Sequence, residues 1–253
     1  MKLEGAGAIV TGGASGLGRA VVEMLAEAGA KPVIFDLNAE AASEVAKAVG
    51  GVAVAGDVAN EEDADRAVDT AVESFGDLRI LVNCAGIGTA GRIVGREGPL
   101  PLAEFEKVIR VNLIGSFNML RVAAARMTAQ EPLEDNERGV IVNTASVAAF
   151  DGQIGQAAYA ASKGGIVSMA LPAARELARF GVRVNTIAPG IFMTPLLESL
   201  PEEVQQSLGA AIPYPSRLGD PKEFADLVRF MIGNHYLNGE VVRLDGAIRM
   251  APK

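Results

Sequence analysis

Tyr159 and Lys163 lie four residues apart in a segment with helical periodicity, so their side chains share one face of the predicted helix. A free phenol has a pKa near ~10 and is a poor base at neutral pH, but a nearby ammonium favours the phenolate and should lower that pKa. Such a phenol could exchange a proton with an alcohol or carbonyl oxygen, and Ser146 could hold that oxygen. A tyrosine and a lysine on an exposed helix surface often have the same spacing. A catalytic role therefore needs further evidence from other motifs in the chain.

A glycine-rich turn supplies part of that support. Residues 11–18 read TGGASGLG and lie between a short apolar run and a segment of helical spacing. Glycines let the backbone approach a pyrophosphate closely, and a helix N-terminus offers amide donors and partial positive charge. A plain tight turn is the alternative, and the strand–turn–helix context favours the phosphate. The predicted cofactor contacts in this turn are Gly12, Ser15, Gly16, Leu17 and Gly18.

Asp36 indicates which dinucleotide would bind. It ends the second apolar run, about 20 residues beyond the glycines, where an acid can bind the ribose 2′-hydroxyl. A carboxylate there would repel a 2′-phosphate, and residues 37 and 38 are Leu and Asn rather than basic residues. The sequence therefore predicts NAD rather than NADP. The alternative role for Asp36 is the N-cap of the next helix.

Further small and polar residues follow the third and fourth apolar runs. Each could belong to a simple turn, but in order they place polar groups along one edge of a parallel sheet, where a dinucleotide would lie. They are predicted to contact the cofactor, and they are Asp57, Val58, Asn83, Cys84 and Gly86.

The elements that must position these residues alternate between strands and helices. Apolar runs predict strands at residues 8–10, 31–35, 52–55, 80–83, 140–143, 182–187 and 241–244. Helical spacing occupies 18–29, a segment ending at 49, 61–75, 102–129 and 157–180. This pattern predicts one α/β domain over residues 1–253, a Rossmann-type, doubly wound fold with a seven-stranded parallel sheet and helices on both faces. Two stretches interrupt the rhythm and are candidates for the substrate rim: residues 86–101, which include Arg92 and Arg96, and residues 191–221.

Composition narrows the function. The 253 residues carry a formal charge of −8, so the basic surface typical of nucleic-acid binding is not expected. No run approaches the ~20 consecutive apolar residues of a membrane span, and no membrane partner is expected. One histidine, His235, and one cysteine, Cys84, are too few for a zinc site or a catalytic triad, so no metal is predicted and His235 is interpreted as structural. The pairs Glu61–Glu62 and Glu202–Glu203 are interpreted as exposed helix starts. We expect a cytoplasmic protein, or a mitochondrial-matrix protein only if a targeting segment has been removed.

Together these motifs resemble the classical short-chain dehydrogenases over essentially the whole chain. The resemblance rests on the glycine turn, Asp57, the segment 83–86 (NCAG), Ser146, the Tyr159–Lys163 pair and the Pro189–Gly190 dipeptide. It implies a catalytic tetrad of Asn112, Ser146, Tyr159 and Lys163. It also implies that residues 191–194 close over a nicotinamide. The cofactor contacts it adds are Tyr159, Lys163, Pro189, Gly190, Phe192 and Thr194.

Residues 143–150 (NTASVAAF), 155–159, 213–221 and 237–250 narrow the resemblance to type II 3-hydroxyacyl-CoA dehydrogenases, a family that includes type 10 17β-hydroxysteroid dehydrogenases. This implies NAD, a homotetramer and interconversion of 3-hydroxyacyl-CoA with 3-oxoacyl-CoA. The implied substrate contacts are Ser146, Gln156, Tyr159, Leu196 and Leu197. The chain departs from the commoner family pattern at Cys84, where a second Asn is usual, and at Met193, where a smaller residue is expected.

Other functions remain open on the sequence alone. One is a dehydrogenase for a steroid or another secondary alcohol, and another is a 3-oxoacyl-carrier-protein reductase. A third is a non-catalytic NAD-sensing module, which the filled tetrad disfavours. Asn112 could bind a main-chain carbonyl or a water and anchor a proton path from Lys163, or it could simply face solvent on its helix.

The segment 191–211 has apolar residues at three- and four-residue steps, typical of one face of a helix. We predict a lid whose face covers the acyl chain, and the alternative is permanent packing on the core. The face comprises Met193, Leu196, Leu197, Leu200, Val204 and Leu208.

Overall fold

In the computed structural model, which describes residues 1–252 except the side chain of Leu196, a parallel sheet carries helices on both faces. The strands of this sheet are β1 Gly7–Thr11, β2 Lys31–Asp36, β3 Val52–Ala55, β4 Ile80–Asn83, β7 Gly139–Thr144, β8 Val182–Pro189 and β9 Val241–Leu244. In the described residues their order is β3-β2-β1-β4-β7-β8-β9, which reverses direction between β1 and β4. The predicted fold class is therefore confirmed, and each predicted strand is present to within two residues at either end.

Alternation along the central strands builds two hydrophobic cores. Ile9 and Val10 are adjacent and fully buried, and they belong to opposite faces of the sheet. Successive strand residues point to opposite faces, so a strand covered on both sides must be apolar throughout. The helices that cover the sheet are α1 Gly16–Glu27, α2 Ala39–Val49, α3 Glu61–Phe75, α5 Gly115–Thr128, α6 Ala157–Ala178 and α9 Pro221–Gly233.

The predicted helix over residues 102–129 is continuous but not uniform. It consists of α4 Leu102–Ile109, one π-helical turn at Arg110–Ile114, and α5. Leu102–Thr128 is long and apolar enough, by length and composition only, to cross a membrane, but 50% of its most apolar window is buried inside the domain. Its apolar side chains, such as Met119 and Met127, pack in the sheet core.

The two interrupted stretches have structure that periodicity did not predict. Residues 86–101 contain a small antiparallel hairpin, β5 Val94–Gly95 and β6 Gly98–Pro99, on which Arg92 and Arg96 are exposed. Residues 191–221 contain two short helices, α7 Pro195–Glu198 and α8 Glu202–Ala210, instead of one long apolar helix. The break falls at Pro201, because proline lacks the N–H that a continuing helix would need.

Candidate active site

A cavity of about 710 Å³ lies at the carboxyl ends of the strands, where the strand order reverses. In open α/β sheets this edge is where ligands bind. The predicted site residues on its wall are Gly12, Ser15, Gly16, Leu17, Gly18, Asp36, Asp57, Val58, Cys84, Gly86, Ser146, Gln156, Tyr159, Lys163, Pro189, Gly190, Phe192, Thr194 and Leu197. Residues as far apart in the sequence as Gly12 and Leu197 thus meet in one cleft.

The glycine turn brings the start of α1 to this cleft. A Cβ built at Gly18 would lie 2.2 Å from the carbonyl oxygen of Gly12, so only glycine allows this approach of helix to strand. Ser15 is the N-cap of α1, yet its side chain makes no capping hydrogen bond, and the first turn carries no acidic residue. Free amides and a free hydroxyl at a helix N-terminus fit the pyrophosphate of a dinucleotide.

Asp36 lies at the far end of the cavity from Tyr159. Its carboxylate accepts hydrogen bonds from the main-chain N–H groups of Ala14, at 3.1 Å, and Asn38, at 3.0 Å. Asn38, and not Asp36, is the N-cap of α2, since its side chain accepts from Ala41 N. The capping alternative for Asp36 is therefore wrong. A carboxylate has about four acceptor positions, so Asp36 can still accept from a ribose hydroxyl.

The residues at the ends of β3 and β4 differ in whether their side chains face the cavity. Asp57 and Val58 line the cavity, and Asp57 accepts from Ala59 N at 2.9 Å. The side chain of Asn83 is buried inside the sheet and donates to the Ser116 carbonyl at 3.2 Å and to Asn143 Oδ1 at 2.9 Å. Asn83 therefore connects β4 to β7 and α5. The sequence predicts that it contacts the cofactor, but its side chain does not line the cavity.

Tyr159 and Ser146 form the chemical centre of the cleft. Ser146 follows β7, and its hydroxyl accepts from Ala148 N at 3.1 Å, which fixes the side chain at the start of a short 3₁₀ turn. Burial raises the pKa of the Tyr159 phenol, and the hydrogen bond with Ser146 opposes that rise. The expected lowering of this pKa by Lys163 is absent from the protein alone. The Lys163 ammonium lies 5.8 Å from the centroid of the Tyr159 ring, and desolvation of the buried phenol is the largest influence on this pKa.

Lys163 is buried and held by the main chain. Its Nζ donates to the carbonyl oxygen of Thr144, the last residue of β7, at 2.8 Å. Burial lowers the pKa of Lys163 to about 8 and raises that of the neighbouring Cys84 thiol to about 11. Cys84 Sγ accepts from the Thr144 hydroxyl at 3.6 Å, so Thr144 contacts both residues. At neutral pH this leaves a cationic lysine and a neutral thiol at the centre of the cavity.

Asn112 lies in the π-helical turn and is fully buried, so its solvent-facing alternative is wrong. Its side-chain amide accepts from Ile87 N at 2.8 Å and donates to the Ile87 carbonyl at 2.9 Å. It also donates to Ser162 Oγ at 3.0 Å, and Ser162 donates to the Tyr159 carbonyl at 2.7 Å. Asn112 therefore joins the loop after β4 to the helix that carries Tyr159.

The substrate side of the cavity is only partly as predicted. Gln156 and Leu197 line it, whereas the side chain of Leu196 lies outside the described part of the structure. Met193 and Leu208 do not line this cavity and instead pack with Leu197 around a small cluster of Ile212, Leu218 and Ile248. Val204, predicted on the apolar face, is 42% exposed. The segment predicted to be a lid thus packs on a small apolar cluster separate from the sheet cores.

Sequence reasoning missed Thr144 and Met250. Thr144 binds Lys163 through a main-chain carbonyl, and every residue type provides such an acceptor. Met250 lines the cavity from near the carboxyl end of the chain, 91 positions after Tyr159. It lies in the segment 237–250 that carries the family resemblance, but no local spacing links it to the catalytic pair.

Comparisons with known proteins agree with this geometry. A family model described as short chain dehydrogenase matches residues 6–205. Proteins named 3-hydroxyacyl-CoA dehydrogenase type-2 are 51% identical in Drosophila melanogaster, covering 99% of this chain and 100% of that protein, and 52% identical in Homo sapiens, covering 99% and 98%. A crystal structure of 3-hydroxyacyl-CoA dehydrogenase type-2 from Mycobacterium avium superimposes with a TM-score of 0.95 at 47% identity, covering 98% of each chain. The resemblance stated from the sequence motifs is therefore confirmed.

Proposed function

The chain belongs to the short chain dehydrogenase family, and from that premise we propose that it is an NAD-dependent 3-hydroxyacyl-CoA dehydrogenase. The observation that carries the proposal is the meeting of Ser146, Tyr159 and Lys163 on the wall of one cavity, whose other end carries Asp36. The names of relatives about half identical over nearly their whole length support the acyl-CoA substrate.

Each catalytic side chain has a distinct task in this reaction. Bound nicotinamide would supply the hydride acceptor or donor and, when oxidised, a positive charge near the phenol. Ser146 holds the substrate oxygen, and Tyr159 Oη takes the alcohol proton during oxidation or returns it during reduction. Lys163, held by the Thr144 carbonyl, places a cation on the cavity wall 5.8 Å from the centroid of the Tyr159 ring. Asn112 holds the loop at Ile87 in a fixed position relative to the helix that carries Tyr159.

NAD is proposed over NADP because of the cavity wall around Asp36. The Asp36 side chain is anchored by Ala14 N and Asn38 N, so it cannot swing away from a bound ribose without losing two hydrogen bonds. The neighbouring Leu37 is 72% exposed and offers no positive charge for a 2′-phosphate. A buried or half-buried carboxylate facing a phosphate is unfavourable.

Steady-state kinetics test both parts of the proposal. We expect turnover of acetoacetyl-CoA with NADH, and much lower kcat/KM with NADPH in place of NADH or with a steroid ketone in place of the thioester. Higher kcat/KM for the steroid ketone would favour the alternative function, a dehydrogenase that acts on a steroid or another secondary alcohol. Equal use of NADPH would contradict the argument from Asp36.

A homotetramer is the proposed assembly. The resemblance suggests it, and exposed apolar side chains on the outer helices support it, since such side chains are often buried between subunits. Phe117 on α5 is 50% exposed, Leu171 on α6 is 45% exposed and Phe230 on α9 is 56% exposed. Analytical ultracentrifugation at micromolar concentration should give the mass of four chains, and a monomer would contradict the proposal.

A further inference from the structure

The tail at residues 248–252 contributes one side chain to the wall of the cavity. Met250 lines the cavity, as do Tyr159, Gln156 and Leu197. Met250 also packs against the small apolar cluster under the lid, which includes Ile248. The side chain therefore faces the same cavity as the catalytic tyrosine and contacts the lid cluster, so it can touch an acyl chain that extends from the reacting carbon.

Hydrogen bonds attach this tail to the segment that joins the catalytic serine to the catalytic tyrosine. Gln153 Nε2 donates to the Ala251 carbonyl at 2.9 Å, and Ile154 N donates to the Pro252 carbonyl at 3.0 Å. Gln153 N in turn donates to Gln156 Oε1 at 3.0 Å. The tail and the predicted substrate contact Gln156 are thus parts of one hydrogen-bonded unit.

Arg243, on β9, also connects the tail to the segment between Ser146 and Tyr159. Its guanidinium donates to Asp151 Oδ2 at 2.6 Å, to Asp245 Oδ2 at 2.7 Å and to the Ile248 carbonyl at 3.1 Å. It also lies 5.2 Å from the centroid of the Phe150 ring. The hydrogen bond from Arg243 lowers the pKa of Asp151, and the Met250 N–H adds a smaller contribution in the same direction. The planar fork of arginine can serve these partners together, and a lysine ammonium cannot.

We propose that Met250 sets the length of the acyl chain that the site accepts, and that Arg243 positions Met250 by joining the tail to residues 150–156. The inference rests on the proposed function and adds the specificity-determining residue of the same site. A thioether side chain is flexible and apolar, which suits contact with a hydrocarbon chain. Arg243 does not line the cavity and acts through the tail and the segment around Asp151.

The test measures kcat/KM for 3-oxooctanoyl-CoA divided by kcat/KM for acetoacetyl-CoA, both with NADH. Met250→Ala should raise this ratio about tenfold and Met250→Phe should lower it, because one methylene in an apolar pocket changes discrimination by roughly 10-fold or more. Ile212→Ala is the control. It removes an apolar side chain from the same cluster, but not from the cavity wall, so the ratio should stay within about twofold.

Arg243→Lys tests the positioning role. We expect KM for acetoacetyl-CoA to rise about fivefold while KM for NADH and kcat change little, as for a loss of substrate positioning rather than of chemistry. The inference is overturned if Met250→Ala and Met250→Phe shift the ratio no more than Ile212→Ala, or if Arg243→Lys raises both KM values equally. An unmodified protein that does not reduce acetoacetyl-CoA would instead refute the proposed function itself.

Discussion

The two ends of the active-site cavity are built differently. At the cofactor end, the contacts that shape the site come from the main chain: the glycine turn packs Gly18 on Gly12, and two main-chain N–H groups hold Asp36. At the substrate end, the wall consists of side chains such as Leu197 and Met250, which pack in a small cluster separate from the two sheet cores.

This difference predicts which end depends on a few positions and which end changes with each substitution. Main-chain geometry depends on the fold and on a few glycines, so substitutions elsewhere leave it unchanged. A wall made of side chains changes with every substitution, while the fold is preserved.

The largest expected effect falls on the centre that both ends share. Tyr159→Phe removes the proton-transferring hydroxyl and should lower kcat by roughly 10³-fold, the usual contribution of general acid–base catalysis. The KM values for NADH and acetoacetyl-CoA should change far less, because neither end is altered. Tyr236→Phe, at a tyrosine that is fully exposed, is the control and should keep full activity. Near-normal kcat in Tyr159→Phe would remove Tyr159 from the mechanism.

The next effect tests the buried charge at the centre. Lys163 has a pKa near 10.5 when exposed and about 8 in the folded protein. Below about pH 8, Lys163 is protonated in both the folded and the unfolded protein, and burying its charge lowers the free energy of unfolding. Between about pH 8 and 10.5, Lys163 is protonated only in the unfolded protein. Stability relative to Lys163→Met should therefore rise with pH across that window, by at most about 3 kcal/mol.

Urea unfolding of both proteins at several pH values between 7 and 10, without added cofactor, measures this difference. The raised pKa of Tyr159 makes the free energy of unfolding fall with pH above pH ~10. Tyr159 is present in both proteins, so this contribution cancels in the comparison. Parallel pH profiles for the two proteins would show that burial does not perturb Lys163.

A smaller effect is expected at the cofactor end. Asp36→Ala combined with Leu37→Arg removes a carboxylate and adds a cation, which should shift the ratio of kcat/KM for NADPH over NADH upward by roughly 10- to 100-fold. Leu37→Arg alone keeps Asp36 and should shift the ratio less. An unchanged ratio in the double variant would mean that the ribose does not lie against residue 36.

The smallest effect is expected at the substrate end. Leu197→Ser places a hydroxyl on the cavity wall and should raise KM for acetoacetyl-CoA about tenfold, with KM for NADH unchanged. Val204→Ser, at a half-exposed position of the same lid, is the control and should leave both constants unchanged. If Leu197→Ser unfolds the protein while KM stays normal in the folded fraction, the segment belongs to the core and is not a lid.

Much of the fold and of the cofactor end could be predicted because the signals are local. Buried parallel strands are continuous apolar runs, and the glycine turn lies between a strand and a helix, so both can be seen in a short window of sequence. The pair Tyr159 and Lys163 is also local, since one helical turn separates the two residues. Their meeting with Ser146 and Asp36 followed from the rule that parallel strands end at one edge of the sheet.

Tertiary structure alone decided the direction of the Tyr159 pKa, because that depends on burial as well as on the charge one turn away. It decided that Asn83 faces the interior, that the Thr144 carbonyl holds Lys163, and that Met250 reaches the cavity. Periodicity reports which face of an element is apolar, but not which distant segment packs on it. Main-chain acceptors have no side-chain signature at all, so the contacts that hold the catalytic lysine became visible only when the strands and helices were brought together.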